Sequence, residues 1–355
     1  MTAPSNVVPA QAGTQLGPGL RRGDNSLRHG GVKMIRRTFA LTVALLAVAP
    51  AAFAQSWPTR PIRIIVGFAP GGGTDIVARA LAPRLSETLG QPVVVENRSG
   101  AAGTIGADLV AKSPSDGYTL LMGHSNSNAI APFVLPKLQY DAASDFTPIT
   151  YVGYVPNILV VHPAVPARTV AELVEAAKSK PGTFTFASSG IGSTQHLAGA
   201  LFAKLTDVQL NHIPYKGSGQ AVVDLIGGQV NMNFDTMPPV LEHIRSGKLR
   251  ALAISTPQRL SQLPDVPTFG EVGIRGFDVT NWYSVMGPKA LPKVITEKIN
   301  DAVLKAMDDP ATRKTLEAQG VQFGTLRTPG EFNTFLQAEL AKYSRLVKEL
   351  GVKAE

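Results

Sequence analysis

The amino-acid sequence predicts an α/β protein of two lobes, each a mostly parallel sheet flanked by helices. Three observations carry that prediction. Short β-branched runs alternate with glycine-rich loops and amphipathic stretches, the order that builds a parallel sheet with ligands at the carboxyl ends of its strands. The alternation begins near residue 62, and a similar one restarts near residue 157. The chain has 355 residues, 44% of them hydrophobic and 17% charged, which suits a packed core and about two domains.

Ile62-Arg63-Ile64-Ile65-Val66 follows Pro61 and reads as a buried strand. Residues 67–74 are a glycine-rich loop. From Asp75, the apolar residues Ile76, Val77, Ala80, Leu81 and Leu85 fall at helical spacing, and Gly90 stops that helix. Val93-Val94-Val95 is the next strand. A glycine-rich turn over 100–106 leads to a helix reaching Lys112. Thr119-Leu120-Leu121-Met122 is the third strand, ending at Gly123-His124-Ser125-Asn126. In the second block, 157–161 is a strand, 170–179 a helix, and 183–187 a strand running into Ser188-Ser189-Gly190-Ile191-Gly192-Ser193. The helix that follows carries Leu197, Ala200, Leu201 and Leu205 on one face. Ile213-Pro214-Tyr215-Lys216-Gly217 is a strand end and loop. Residues 221–226 are helical, 230–234 a strand ending at Asp235, and 249–254 a further strand. The chain reads as strand again from Val279 through Trp282 to Met286, and three helices close it. The last opens with Thr328 as N-cap, Pro329 at the first helical position and Glu331 at the third, a capping box. Crossings near 155 and 280 give a first lobe of 55–155 with 280–355, and a second lobe of 156–279 inserted into it.

The first 54 residues are not part of this fold. Lys33-Met34-Ile35-Arg36-Arg37 is basic, residues 41–49 are apolar but too short to span a bilayer, and Ala52-Phe53-Ala54 is a small-residue cleavage site before Gln55. Together, 34–54 read as a secretory signal peptide, with translation expected from Met34 and 1–33 a non-native or disordered extension. Arg36-Arg37-Thr38-Phe39 also loosely fits a twin-arginine signal; the general route is the expected one. No later apolar run reaches 18 residues, so the mature chain is expected to be soluble.

Residues 1–54 hold six bases and one acid, leaving only +3 of the chain's +8 for the remainder. A weak, scattered charge is not the footprint of a nucleic-acid binder, but it mildly favours small anions. The lack of Cys excludes a disulfide scaffold, a thiolate metal site and a Cys nucleophile. Gly73 stands where a phosphate loop needs Lys, Ile76 and Gln195 break the dinucleotide fingerprint, and Ser188-Ser189-Gly190 is not a nucleophile elbow. His124, His162, His196, His212 and His243 show no metal-ligand spacing and read as surface or hydrogen-bonded structural residues, although His196 sits within the second of the two glycine loop–helix units described next. No metal or cofactor is expected.

Two strand–glycine loop–helix units carry the functional argument. The first holds Phe68-Ala69-Pro70-Gly71-Gly72 and Asp75; the second holds Ser188-Ser189-Gly190, Ser193 and His196. Each is expected to leave backbone N–H groups free at a helix start, worth ~0.3–1 kcal/mol to an exposed anion and up to ~2 when partly buried. One unit per lobe would grip a carboxylate at each end of a cleft. The alternative is two ordinary turns, with Asp75 and Ser193 merely capping helices. Gly71 and Gly190 are expected to matter because a ligand approaches their backbone, not because the fold needs them.

These residues resemble a known family. Pro58-Thr59-Arg60-Pro61-Ile62-Arg63-Ile64-Ile65-Val66 with Phe68-Ala69-Pro70-Gly71-Gly72-Gly73-Thr74-Asp75 is similar to the start of the tripartite tricarboxylate transporter substrate-binding proteins, the Bug family. Val94-Val95-Glu96-Asn97-Arg98, Gly100-Ala101-Ala102-Gly103-Thr104-Ile105-Gly106, Asp116-Gly117-Tyr118-Thr119-Leu120, His212-Ile213-Pro214-Tyr215-Lys216-Gly217 and Asn233-Phe234-Asp235 match later blocks in order. The resemblance covers the mature chain, not 1–33. It implies a monomeric two-lobed periplasmic binding protein of type II-like fold. A small carboxylate would sit in the inter-lobe cleft, and the receptor would serve the membrane components of a tripartite transporter. It implies that the loops 68–75 and 188–193 hold the ligand carboxylate, and that Tyr215, Gly217 and Asp235 line the same cleft. Ser125, Asn126 and Asn157 are candidates for selectivity, and Asp235 would suit a ligand bearing an amine or hydroxyl. No clustered Arg pair favours a citrate-like trianion. A dicarboxylate, an acidic amino acid or an aromatic acid remain open as ligands. A sensor for a signalling partner and an exported α/β hydrolase remain open as functions, the latter without a visible base–nucleophile pair.

Overall fold

The computed structural model describes residues 57–353, so the signal peptide and the extension before it lie outside the described residues. One sheet holds β1 (Ile62–Val66), β2 (Val93–Asn97), β3 (Thr119–His124), β4 (Phe146–Val155), β10 (Asn281–Pro288) and β11 (Gln322–Phe323), in the order β11-β4-β10-β3-β1-β2. The other holds β5 (Asn157–Val161), β6 (Thr185–Ser188), β7 (Asn211–Pro214), β8 (Met232–Thr236) and β9 (Arg250–Ile254), in the order β7-β6-β8-β5-β9. The helices are α1 (Gly73–Leu89), α2 (Thr104–Ala111), α3 (Ala131–Val134), α4 (Val170–Ser179), α5 (Thr194–Thr206), α6 (Ser218–Ile226), α7 (Met237–Arg245), α8 (Lys293–Asp308), α9 (Pro310–Ala318) and α10 (Pro329–Leu350). The fold class is as expected, but the sheets are mixed rather than mostly parallel. β1 pairs in parallel with β2 and β3, and β6 with β7 and β8, through helical crossovers. β4, β10, β5 and β9 pair antiparallel, because β5 and β10 enter their sheets from the other lobe.

β4 has no counterpart in the sequence reading, since Pro148 and Gly153 interrupt its apolar run. Its pairing with β10 shifts register twice, and a Cβ on Gly153 would strike the Gln322 carbonyl on β11. In α5 the buried face is Leu197, Ala198, Leu201 and Phe202; Leu205, expected among them, is 41% exposed. The expected capping box forms at Thr328 and Glu331, and Gly90 ends α1 in the left-handed conformation. One apolar cluster runs through both lobes, joining Ile65, Leu121 and Trp282 of the first to Leu159, Phe186 and Phe234 of the second. Among the described residues no helix is long and apolar enough to cross a membrane.

Candidate functional site

The carboxyl ends of β1, β3 and β8 face a cleft between the lobes. Its inner chamber measures about 280 Å³. Phe68, Ala69, Pro70, Gly71, Gly72, Asn126, Ser189 and Gly217 line it, as their sequence placement suggests. Gly190 and Tyr215 line an adjoining outer chamber instead, which Phe68 and Ser189 share.

Three helices begin at the inner chamber without a side-chain cap. Of these α7, behind Thr236, carries Pro238 and Pro239 in its first turn, which have no N–H, so α1 and α6 are the two that present a run of donors. Gly72 precedes α1 and offers no side chain; Ile76 N–H reaches the Gly72 carbonyl, which leaves the N–H groups of Gly73, Thr74 and Asp75 without acceptors among the described residues. Gly217 precedes α6 in the same way, and the N–H groups of Ser218, Gly219 and Gln220 have no acceptor among the described residues either. The first terminus is the one expected. The second is not: the start of α5 is already satisfied. Ser193 Oγ accepts His196 N–H at 3.2 Å, and Asn126, reaching from the other lobe, accepts Thr194 N–H at 2.9 Å. Within the preceding loop, Gln195 accepts Ser189 N–H, Ser188 Oγ accepts Gly190 N–H at 3.1 Å, and His196 Nδ1 accepts Gly192 N–H at 3.2 Å. Ser193 is a good cap for its own helix, whereas Gly217 is none. The opposing anion-facing termini are therefore α1 and α6.

Seven expected site residues stand behind the chamber wall. Asp75 accepts Gly71 N–H at 2.9 Å, Asn97 Nδ2 at 2.8 Å and Arg79 Nε at 2.9 Å, fixing the loop that lines the chamber. Burial works against its ionisation, but these bonds outweigh it and hold its carboxyl below the usual range. Ser125 is buried, its hydroxyl 3.5 Å from His124 Nδ1. Asn157 donates to the Val279 carbonyl at 2.7 Å and accepts Asn281 Nδ2 at 2.8 Å, tying the two lobe crossings together. Ser188 meets His212 Nε2 at 2.7 Å, and His212 stacks on His196 with ring centres 3.8 Å apart. Ser193 caps α5. Asp235 is fully buried and accepts Gln195 Nε2 at 2.6 Å, Ser218 Oγ at 2.5 Å, Asn233 Nδ2 at 2.9 Å and Thr236 N–H at 2.8 Å. Burial pushes its carboxyl up to about 6, against the pull of Ser218, Thr236 and Gln195. It does not line the chamber and offers nothing to a ligand amine; it holds Gln195, Ser218 and Thr236, which do line it, in place.

Other lining residues escape the sequence reading. His124 packs between Phe68 and Tyr283, with ring centres 4.9 and 5.5 Å away. Burial lowers its pKa to about 3, so it is neutral; Nδ1 accepts Asn126 N–H at 3.0 Å, which puts the ring proton on Nε2. Tyr283 and Asn281 come from β10, distant in sequence. Lys216, before α6, is the one charged side chain among the described residues that line either chamber. The usable signal for α6 was a third glycine loop before a helix, Lys216-Gly217-Ser218-Gly219. Gly71 and Gly190 both have left-handed φ, 80° and 135°, so each serves the fold, contrary to the expectation that only a ligand needs them. Among the described residues no group of three His, Asp or Glu is placed to hold a metal.

Two lobes joined by two crossings, with a donor-lined cleft between them, define a solute-binding receptor. A family model described as the tripartite tricarboxylate transporter family receptor, TctC, matches residues 77–352. The protein BugT of Bordetella pertussis is 42% identical over 312 residues, 88% of this chain and 95% of its own. Two solved structures are also similar. R. palustris Rpa4515 with adipate is 35% identical over 84% of this chain and 99% of its own, with a TM-score of 0.80. MatC (Rpa3494) from Rhodopseudomonas palustris with bound malate is 33% identical over 82% and 100%, with a TM-score of 0.78. The chain belongs to the tripartite tricarboxylate transporter receptor family, whose receptors are periplasmic.

Proposed function

We propose that this chain is exported through the signal at 34–54, matures at Gln55, and works as a monomeric periplasmic receptor that captures a small dicarboxylate for the membrane components of a tripartite transporter, without metal, cofactor or catalysis. Lobe 1 is then 55–155 with 280–355, and lobe 2 is 156–279. One observation carries the reading. Two uncapped helix starts, one from each lobe, face a chamber with no acidic side chain among its lining residues. Such termini attract anions, and Lys216 adds the one formal charge. Relatives solved with adipate and malate support a dicarboxylate. The burial of Asp235 argues against an amino acid, because the chamber holds no carboxylate for an ammonium group. A hydrolase is disfavoured too: Ser188 and His212 approach each other, but Ser188 is buried outside the chamber.

The test is a thermal-shift screen of organic acids, sugars, nucleotides and cations on protein beginning at Gln55. A ligand at a hundred times its Kd adds about 2.7 kcal/mol to folded-state stability. That amounts to a melting shift of several degrees, at roughly 2–4 °C per kcal/mol. A shift with a sugar or a cation and none with any carboxylate would contradict the proposal.

A further inference from the structure

The cleft does not end at the inner chamber. Past Phe68, Ser189 and Lys216, which line both spaces, it opens into an outer chamber of about 620 Å³. The inner chamber alone is at the small end for an organic ligand, since such pockets span about 300–1,000 Å³.

The walls of the outer chamber are mostly hydrocarbon. Lobe 1 contributes Phe68, Ala101, Ala102 and Leu135; lobe 2 contributes Ile191 and Pro214. Tyr215 presents its ring, because its hydroxyl donates to Asp224 at 2.9 Å. Two features of this wall are costly to the free protein. Residues 100–103 all have positive φ, at 139°, 46°, 54° and 94°. Gly100 and Gly103 adopt such angles freely, but Ala101 and Ala102 are strained there, and a glycine would remove that strain. Both strained alanines line the outer chamber, and backbone strain kept beside a candidate ligand site points toward function. Across the gap, Ile191 leaves a large apolar side chain 38% exposed on a loop tip.

We propose that the outer chamber is a subsite for the hydrocarbon body of the ligand, so that the receptor selects medium-chain or aryl carboxylic acids over short ones. The acid group sits in the inner chamber on the starts of α1 and α6, and the body passes Phe68 and Ser189 into the outer one. This rests on the carboxylate reading of the inner chamber. It goes beyond that reading in assigning the second chamber and the length of the ligand.

Calorimetry with acetate, succinate, adipate, suberate and 3-phenylpropionate tests it. Each methylene moved out of water is worth about a fourfold gain in affinity. Suberate should therefore bind at least about tenfold tighter than succinate, and 3-phenylpropionate tighter than acetate. Ile191→Asp should cut suberate binding about tenfold and leave succinate within about twofold. Ala102→Gly gives an independent arm: relief of strain should make the protein more resistant to urea, while the lost methyl weakens suberate alone. Equal affinity for succinate and suberate, or an Ile191→Asp loss shared equally by both, overturns this proposal but leaves the carboxylate reading intact. Binding of no acid at all overturns both.

Discussion

Gly219 offers the cleanest test of the seat formed by α6. It is the second residue of that helix and lines the inner chamber; its φ is not left-handed, and a Cβ built there meets nothing within 4 Å. Gly219→Ala thus asks nothing of the free protein. Within a helix the exchange stabilises by up to ~1 kcal/mol, and less in the first turn, so urea unfolding without ligand should show a gain of about 0.5 kcal/mol. With ligand the sign reverses. The new methyl stands before the free N–H groups of Ser218, Gly219 and Gln220. Charge-assisted hydrogen bonds are worth about 1.5–3 kcal/mol each, so losing one or displacing the carboxylate should weaken adipate about ten- to a hundredfold. Gly330→Ala is the matched control, because Gly330 is the second residue of α10, equally open, and outside both chambers. It should gain stability by a similar amount and bind as the parent does. If calorimetry finds Gly219→Ala binding adipate with the parent's affinity, the α6 start is not an anion seat and the two-helix clamp is wrong.

Three further outcomes are expected. Gly71→Ala should lose about 1 kcal/mol of stability as well as affinity, because its φ of 80° is left-handed and its N–H anchors Asp75; a urea midpoint equal to the parent's would contradict this. Acidification from pH 7 to 5 should destabilise the protein. Burial holds His124 and His212 at about 3 and His196 at about 4, with the neighbouring His196 also lowering His212. The unfolded chain therefore takes up protons first, and stability present above about pH 6.5 is lost as pH falls, by up to about 2 kcal/mol for each His at pH 5. Asp235, pushed up to about 6, works in the opposite direction and returns about 1 kcal/mol. Urea midpoints that stay level between the two pH values would sink this balance. Finally, mass spectrometry of periplasmic protein should find an N-terminus at Gln55, and a mature chain retaining Met34 would refute cleavage there.

What was legible in the sequence is what local chemistry decides. The β1 run, the helix stop at Gly90 and the capping box at Thr328 depend on neighbours a few residues away, and each is found where the sequence places it. The first anion-facing loop is local in the same sense: Gly72 precedes α1 and carries no side chain to cap it. The second was misplaced because capping of α5 is partly a long-range event. Nothing near Thr194 shows that Asn126, 68 residues earlier, reaches across to take its N–H. His124, Asn281 and Tyr283 were missed for the same reason, since only the pairing of β10 against β3 brings them together. Asp235 was noticed, but its saturation by Gln195, Ser218, Asn233 and Thr236 follows from tertiary packing alone.

The Asn157–Asn281 pair has a mechanical consequence. The first crossing is a single residue, Pro156, between β4 and β5, and the amide pair pins it to the return strand at its start. Asn281 also takes the hydroxyl proton of Thr194, so the pin extends into α5. One short crossing, one clasp and an apolar cluster shared by both halves would resist sliding and leave rotation about the pin as the motion open to them. A pivot turns one small angle into unequal displacements, least at its own position and greatest at the rim. Asn281 borders the inner chamber and not the outer one. The acid group would then find its seat nearly finished before closure, while the space for the rest of the ligand is set by how far the jaws have turned.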